Sequence, residues 1–279
     1  MDMVSTVAEV RARVHQWKKE GKTIGLVPTM GYLHEGHASL MAQARKENDI
    51  VIVSIFVNPT QFGENEDLDA YPRDLEHDRA LCSRMGADLI FHPQPEEMYQ
   101  NACTYVNINN LSDHLCGKSR PIHFRGVCTV VSKLLHIAAP DRAYFGQKDA
   151  QQLAIIRKMV EDLNFDVEIV GCPIVREDDG LAKSSRNTYL SATERQAALC
   201  LSRAVKAGQA TSANTTDASA IKKAMEEVIL AEPLAKIDYV EVVDGKTMAP
   251  VDTVKPGDLA AMAVFIGKTR LIDNFIIGA

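Results

Sequence analysis

Two histidines three residues apart, His34 and His37, stand in the segment PTMGYLHEGH (28–37), between a short apolar run and a helical pattern. At a helix entrance such a pair lies beside backbone N–H groups and the positive end of the helix dipole, which makes an anion site with two titratable donors. Gly31 and Gly36 let the backbone approach a ligand where a side chain would block it. Zinc would need further ligands and an H-E-x-x-H spacing that is absent. Two functionless loop histidines are the plainer alternative, and their position after the first strand, in a loop with two glycines, argues against it. A second polar segment, REDDGLAKSSRN (176–187), carries Lys183, Ser184, Ser185 and Arg186, residue types suited to phosphate oxygens.

The elements that must position these groups follow from periodicity. Thr6 or Ser5 caps a helix with Val7, Val10, Val14 and Trp17 on one face and Gly21 as its stop. The spacing then predicts a strand at 23–27 closed by Pro28, a helix at 38–48, and a strand at 50–57 whose consecutive apolar, β-branched residues mark burial on both faces. Helices at 74–85, 124–138 and 150–164 alternate with strands at 88–92, 142–145 and 167–170. Repeated βα units imply an α/β fold with a doubly wound parallel sheet and ligands at the carboxyl ends of its strands, so the loops after Val27, Val57 and Phe145 should converge. After Arg176 two helices, joined by a small-residue linker at 210–220, precede three strands that should be antiparallel. The expected division is 1–176 for the larger domain and 177–279 for a smaller α+β domain carrying the KSSR loop.

Composition narrows the partners. The 279 residues are 46% hydrophobic and 24% charged, the balance of a fully folded chain, and the net charge of -6 supplies no basic field for nucleic acid or an anionic membrane. Cys82, Cys103, Cys116, Cys128, Cys172 and Cys200 are scattered, without a C-x-x-C pair, and read as reduced thiols. The amino terminus lacks an apolar signal region, and no run nears the roughly 20 residues of a membrane span, so a cytoplasmic protein is expected.

The H-x-G-H loop resembles the "HIGH" loop of the nucleotidylyltransferase superfamily, whose fold is Rossmann-like and which pairs it with a lysine- and serine-bearing loop across a nucleotide. Six ordered segments resemble the pantothenate synthetase family more narrowly: PTMGYLHEGH (28–37), VSIFVNPTQF (53–62), YPRD (71–74), RPIHFRGVCTVVSKL (120–134), YFGQKDAQQL (144–153) and DGLAKSSRN (179–187), with RLIDN (270–274) following. That resemblance implies ATP-dependent joining of pantoate to β-alanine through a pantoyl-adenylate, releasing pyrophosphate and then AMP, in the coenzyme A pathway. It implies catalytic roles for His37, His34, Lys148 and Arg186, and an ATP site of Met30, Gly31, His34, Gly36, His37, Gly146, Gln147, Lys148, Asp149, Val175, Ser184, Ser185 and Arg186. Lys183 joins that set by its chemical type.

Gln61 and Gln152 match the family's pantoate contacts, and Gln61 also its β-alanine contact. Met30, Val130 and Val131 are either shelter for pantoate's methyl groups or ordinary core, and Asn58 is a plausible polar contact at the same crevice. ATP reacts as its Mg²⁺ complex. Where some relatives have an acidic pair after YPR, this chain has His77 and Asp78, so only Asp78 carries over as a metal-binding carboxylate. Gln147, Ala150, Lys183 and Ile122 depart from the family pattern. The family analogy also implies a homodimer. Two other readings remain open at this point: transfer of AMP onto a phosphate ester, and a nucleotide-binding module without catalysis.

Overall fold

The structure, a computed structural model, describes residues 1–64 and 66–279. Its elements in chain order are β1 (Asp2–Val4), α1 (Val7–Lys19), β2 (Ile24–Thr29), α2 (Glu35–Glu47), β3 (Ile50–Ile55), α3 (Leu75–Arg84), β4 (Leu89–Phe91), α4 (Pro95–Met98), α5 (Leu115–Ser119), α6 (His123–Ala138), β5 (Arg142–Gly146), α7 (Ala150–Asp162), β6 (Glu168–Cys172), α8 (Ala192–Ala197), α9 (Leu199–Ser212), α10 (Ala218–Leu230), β7 (Ala235–Val243), β8 (Leu259–Ile266) and β9 (Thr269–Ile276). The expected alternation of parallel strands and helices is present. Thr6 does cap α1, in a reciprocal box with Glu9.

The first six strands form one parallel sheet in the order β1-β4-β3-β2-β5-β6. The chain leaves β2 toward β3 on one side and later returns to place β5 on the other, so the order reverses between β2 and β5 and opens a crevice at their carboxyl ends. Pro28 does not close β2, contrary to the expectation from sequence. The strand runs on to Thr29 paired with β3, whereas β5 pairs only with Gly25 and Leu26. Pro28 therefore lies where no β5 partner needs its missing N–H. The strand at the amino terminus, β1, was not expected; three residues carry too little periodicity to reveal it.

By internal contacts the chain forms two units, Met1–Ile108 with Ile122–Gln147 and Ile155–Pro173, and Asn109–Pro121 with Lys148–Ala154 and Ile174–Ala279. Two short segments before residue 176 thus group with the second unit. The cause is local. The buried Gln151 amide donates to the carbonyls of Leu111 and His114, both at 2.8 Å, and Leu115 and Ala150 pack with Val243, Met248, Leu259 and Ala261. The second unit's antiparallel sheet, β7-β8-β9, buries Val240, Met262 and Val264 against Leu201, Val205, Ile221 and Met225 of α9 and α10. Helix fills most of the expected 210–220 linker, because alanine favours helix and Asp217 caps α10.

All six cysteines are free thiols. Burial pushes Cys82 and Cys128 up to about 12 and Cys200 to about 11, which starves them of the reactive thiolate. Cys103 alone is exposed. A disulfide reagent such as 5,5′-dithiobis(2-nitrobenzoate) is expected to label Cys103 rapidly in the folded protein and the four buried thiols only after denaturation.

Candidate active site

In the first unit the site grows out of the end of β2. The Thr29 hydroxyl donates to the Ser54 carbonyl at 2.7 Å and accepts the Gly31 N–H at 3.2 Å. Gly31 and Tyr32 then take left-handed backbone, φ +84° and +51°. Glycine adopts this freely, but for tyrosine it costs on the order of 1 kcal/mol. Helix α3 holds the turn. The Tyr32 N–H donates to Asp78 Oδ2 at 2.8 Å, the Leu33 N–H donates to Asp78 Oδ1 at 2.6 Å, and His77 Nε2 lies 3.0 Å from the Leu33 carbonyl.

His34 is the N-cap of α2, and His37 stands in its first turn. The Gly36 N–H donates to His34 Nδ1 at 3.1 Å and the His34 N–H to His37 Nδ1 at 3.2 Å, while the rings sit 4.1 Å apart, tilted by 37°. An Nδ1 that accepts carries no hydrogen, so in both neutral rings the hydrogen resides on Nε2. The pair is thus a matched set of Nε2–H donors, fixed by the same helix terminus whose dipole favours an anion.

Gly146 ends β5, the strand beside β2, and a Cβ added there would meet no heavy atom within 4 Å. That open space at the sheet's reversal point suits close approach of a ligand. A cavity of about 380 Å³ also opens at the carboxyl ends of β2, β3 and β4, lined in part by Met30, Gly31, Val57, Asp78 and His92.

Gln61 is only 7% exposed, in a 3-10 turn, Pro59–Gln61. A directed chain orients its amide: the Tyr99 hydroxyl donates to Asn58 Oδ1 at 2.7 Å, Asn58 Nδ2 to Gln61 Oε1 at 3.0 Å, and Gln61 Nε2 to Met30 Sδ at 3.1 Å. Gly126 of α6 makes the approach possible, since a Cβ there would lie 2.4 Å from the Thr60 carbonyl oxygen. Val130 and Val131 are buried on the same helix. Tyr99 and Gly126 were not singled out by their sequence; long-range contact alone gives them their place.

Asp78 is only 1% exposed, and each of its oxygens accepts a backbone N–H. Burial pushes its carboxyl above the usual range, against the pull of the Leu33 and Tyr32 hydrogen bonds. Among the described residues no group of three histidines, cysteines or acids could hold a metal. Magnesium takes one or two carboxylates with free oxygen faces, whereas both Asp78 oxygens are turned to backbone N–H groups inside the protein, so Asp78, the carboxylate expected to bind it, does not fit a protein-held magnesium.

In the second unit, Lys148 and Asp149 follow one another in a 3-10 turn with their charged groups 3.7 Å apart, and Gln152 lies half-buried one turn on, in α7. The Asn274 side chain donates to the Lys148 carbonyl at 2.9 Å. Its neighbour in β9, Asp273, grips Arg176 through two bonds of 2.7 and 2.9 Å, and Arg176 in turn donates to the Gly180 carbonyl at 3.1 Å. The Lys183 N–H donates to the Val175 carbonyl at 2.9 Å, closing a ribbon that delivers the KSSR segment. Ser184 caps the next turn by accepting the Arg186 N–H at 3.3 Å, and Ser185 is buried. Burial alone would raise the Glu177 carboxyl, but hydrogen bonds from Arg195 and Asn187 outweigh it and hold it below the ordinary range. This fastens the base of the ribbon.

A doubly wound parallel sheet with a helix entrance that presents paired Nε2–H donors at its reversal point defines an α/β enzyme that handles phosphate. The pantoate-β-alanine ligase family model matches residues 2–276. Pantothenate synthetases of Clostridium novyi and Enterococcus faecalis are 62% and 60% identical, over 98% and 99% of this chain and 97% and 98% of theirs. The crystal structure of the pantothenate synthetase from Thermus thermophilus superimposes with a TM-score of 0.95 at 46% identity, covering 99% of both chains. The Francisella tularensis pantoate-β-alanine ligase, solved with β-γ ATP and β-alanine, gives 0.84 at 33% identity, covering 100% of this chain and 98% of that one. This chain belongs to the pantoate-β-alanine ligase family. No helix among the described residues is long and apolar enough to cross a membrane.

Proposed function

We propose that the protein condenses pantoate with β-alanine in two steps, with ATP, as its magnesium complex, a substrate of the first. In that step a pantoate carboxylate oxygen bonds to the α-phosphorus as the bond to the bridging oxygen breaks and pyrophosphate leaves. The carboxylate is already an anion near neutral pH, so the step needs no general base. Its barrier lies in bringing an anion to a polyanion in line, which fixed donors and cations lower. The paired Nε2–H donors of His34 and His37 are the observation that carries this reading. Lys148, Ser184, Ser185 and Arg186 share the phosphates, with Lys183 added to them; Met30, Gly31, Gly36, Gly146, Gln147 and Val175 form the rest of the ATP site, and Asp149 faces the ribose.

In the second step the β-alanine amine attacks the pantoyl carbonyl carbon, loses a proton and expels AMP. Gln61 and Gln152 orient pantoate, and Gln61 also receives β-alanine; a primary amide offers both the donor and the acceptor that a hydroxy acid needs. The reading includes a homodimer and a cytoplasmic setting, both carried from the family resemblance. Pyrophosphate exchange into ATP tests it. Exchange that needs pantoate and proceeds without β-alanine is the expected result, and exchange independent of any carboxylic acid overturns the adenylate route.

A further inference from the structure

We propose that His77 and Asp78, at the start of α3, are positioning residues that hold the histidine loop in its working geometry, and that Asp78 does so in place of binding a metal. The family resemblance suggests Asp78 as a metal-binding carboxylate, but Asp78 is only 1% exposed and each carboxylate oxygen accepts one N–H, from Tyr32 at 2.8 Å and Leu33 at 2.6 Å. Two such bonds use both oxygens as acceptors, a demand the carboxyl meets and an amide does not, since an amide has only one acceptor atom. His77 completes the grip at the other side of the same residue, with Nε2 3.0 Å from the Leu33 carbonyl.

The two residues so held lie immediately before His34. Tyr32 is one of few non-glycine residues with positive φ, and Gly31 beside it could not carry a side chain easily, since a Cβ would lie 3.0 Å from Asp78 Oδ2 and from Ile55 Cγ2. Left to itself this backbone would relax out of the left-handed region. Relaxation would rotate the His34 N–H away from His37 Nδ1, and with it the bond that fixes the His37 tautomer. Asp78 thus acts on the phosphates only through His34 and His37.

The activity arm of the test rests on the adenylate reading; a spectroscopic arm does not. In protein labelled with ¹⁵N at histidine, both loop rings of the full chain are expected to show the Nε2–H tautomer. In Asp78→Asn, whose amide must turn a donor toward one of the two N–H groups, both tautomers are expected at His37. Pyrophosphate exchange should fall about 10- to 150-fold, the worth of one hydrogen bond to a charged group, with half-saturating Mg²⁺ unchanged. Wild-type tautomers together with a loss that rising Mg²⁺ restores would overturn the proposal in favour of a metal ligand. Wild-type tautomers with an unaltered rate would overturn it outright. If Asp78→Asn does not fold, His77→Ala carries the same tautomer measurement, because His77 is exposed and its removal opens no cavity; mixed tautomers support the clamp and unmixed ones overturn it. An absence of pantoate-dependent exchange in the unsubstituted protein would count against the adenylate reading and leave the tautomer result standing.

Discussion

Replacing His37 by alanine is expected to slow pantoate-dependent pyrophosphate exchange about 10²- to 10³-fold, the usual loss on removing one donor aimed at developing charge. The substitution takes away the Nε2–H donor and also the acceptor for the His34 N–H, 3.2 Å from His37 Nδ1. The second loss costs about 0.5–1.5 kcal/mol of stability, too little to unfold a chain with two substantial cores. Far-ultraviolet circular dichroism and Tm should therefore change little while the rate collapses. His37→Gln keeps a donor of nearly equal reach and should recover part of the rate. An unaltered rate in His37→Ala would remove His37 from the mechanism.

Much of this site was legible because it is local. His34, Gly36 and His37 fall within one turn, so their spacing and their place after a strand already specify an anion-binding helix entrance. The parallel sheet was equally legible, since the β-branched run at 50–53, continued past Ser54 by Ile55, reads as a strand covered on both faces. What escaped lies across the chain. The partners of Asp78 are 45 and 46 residues away, and an acid placed after YPR suggests a metal ligand in sequence, where its bonds from Leu33 and Tyr32 cannot be seen. Gln151 and Gln152 look alike in sequence, yet the first is buried and ties 111–117 to α7 whereas the second remains accessible. RLIDN belonged to the family resemblance without any assigned role. In a strand consecutive side chains point to opposite faces, which lets Asp273 hold Arg176 while Asn274 holds the Lys148 carbonyl.

That last arrangement makes Arg176→Ala the most damaging change expected among residues that touch no substrate. The Asp273 side chain is fully buried, whereas Arg176 is 30% exposed, so the substitution strands a carboxylate that water does not reach. Breaking a buried pair from one side costs about 3–5 kcal/mol. Partial exposure of Arg176 and the Asn274 N–H, which still donates to Asp273 Oδ1 at 2.8 Å, put the loss near the low end, about 3 kcal/mol, or on the order of 10 °C in Tm. Arg176→Lys should recover less than half of this, because an ammonium cannot reproduce the two-pronged contact. The arginine also holds the Gly180 carbonyl in the ribbon between Val175 and Lys183, so its loss loosens the delivery of Ser184, Ser185 and Arg186. Below the melting transition the KM for ATP should accordingly rise several-fold while that for β-alanine stays put. Calorimetry and steady-state kinetics separate the two effects. A fall in Tm with no change in the KM for ATP would leave Arg176 a purely structural residue and cut the link between the β9 pair and the nucleotide loop.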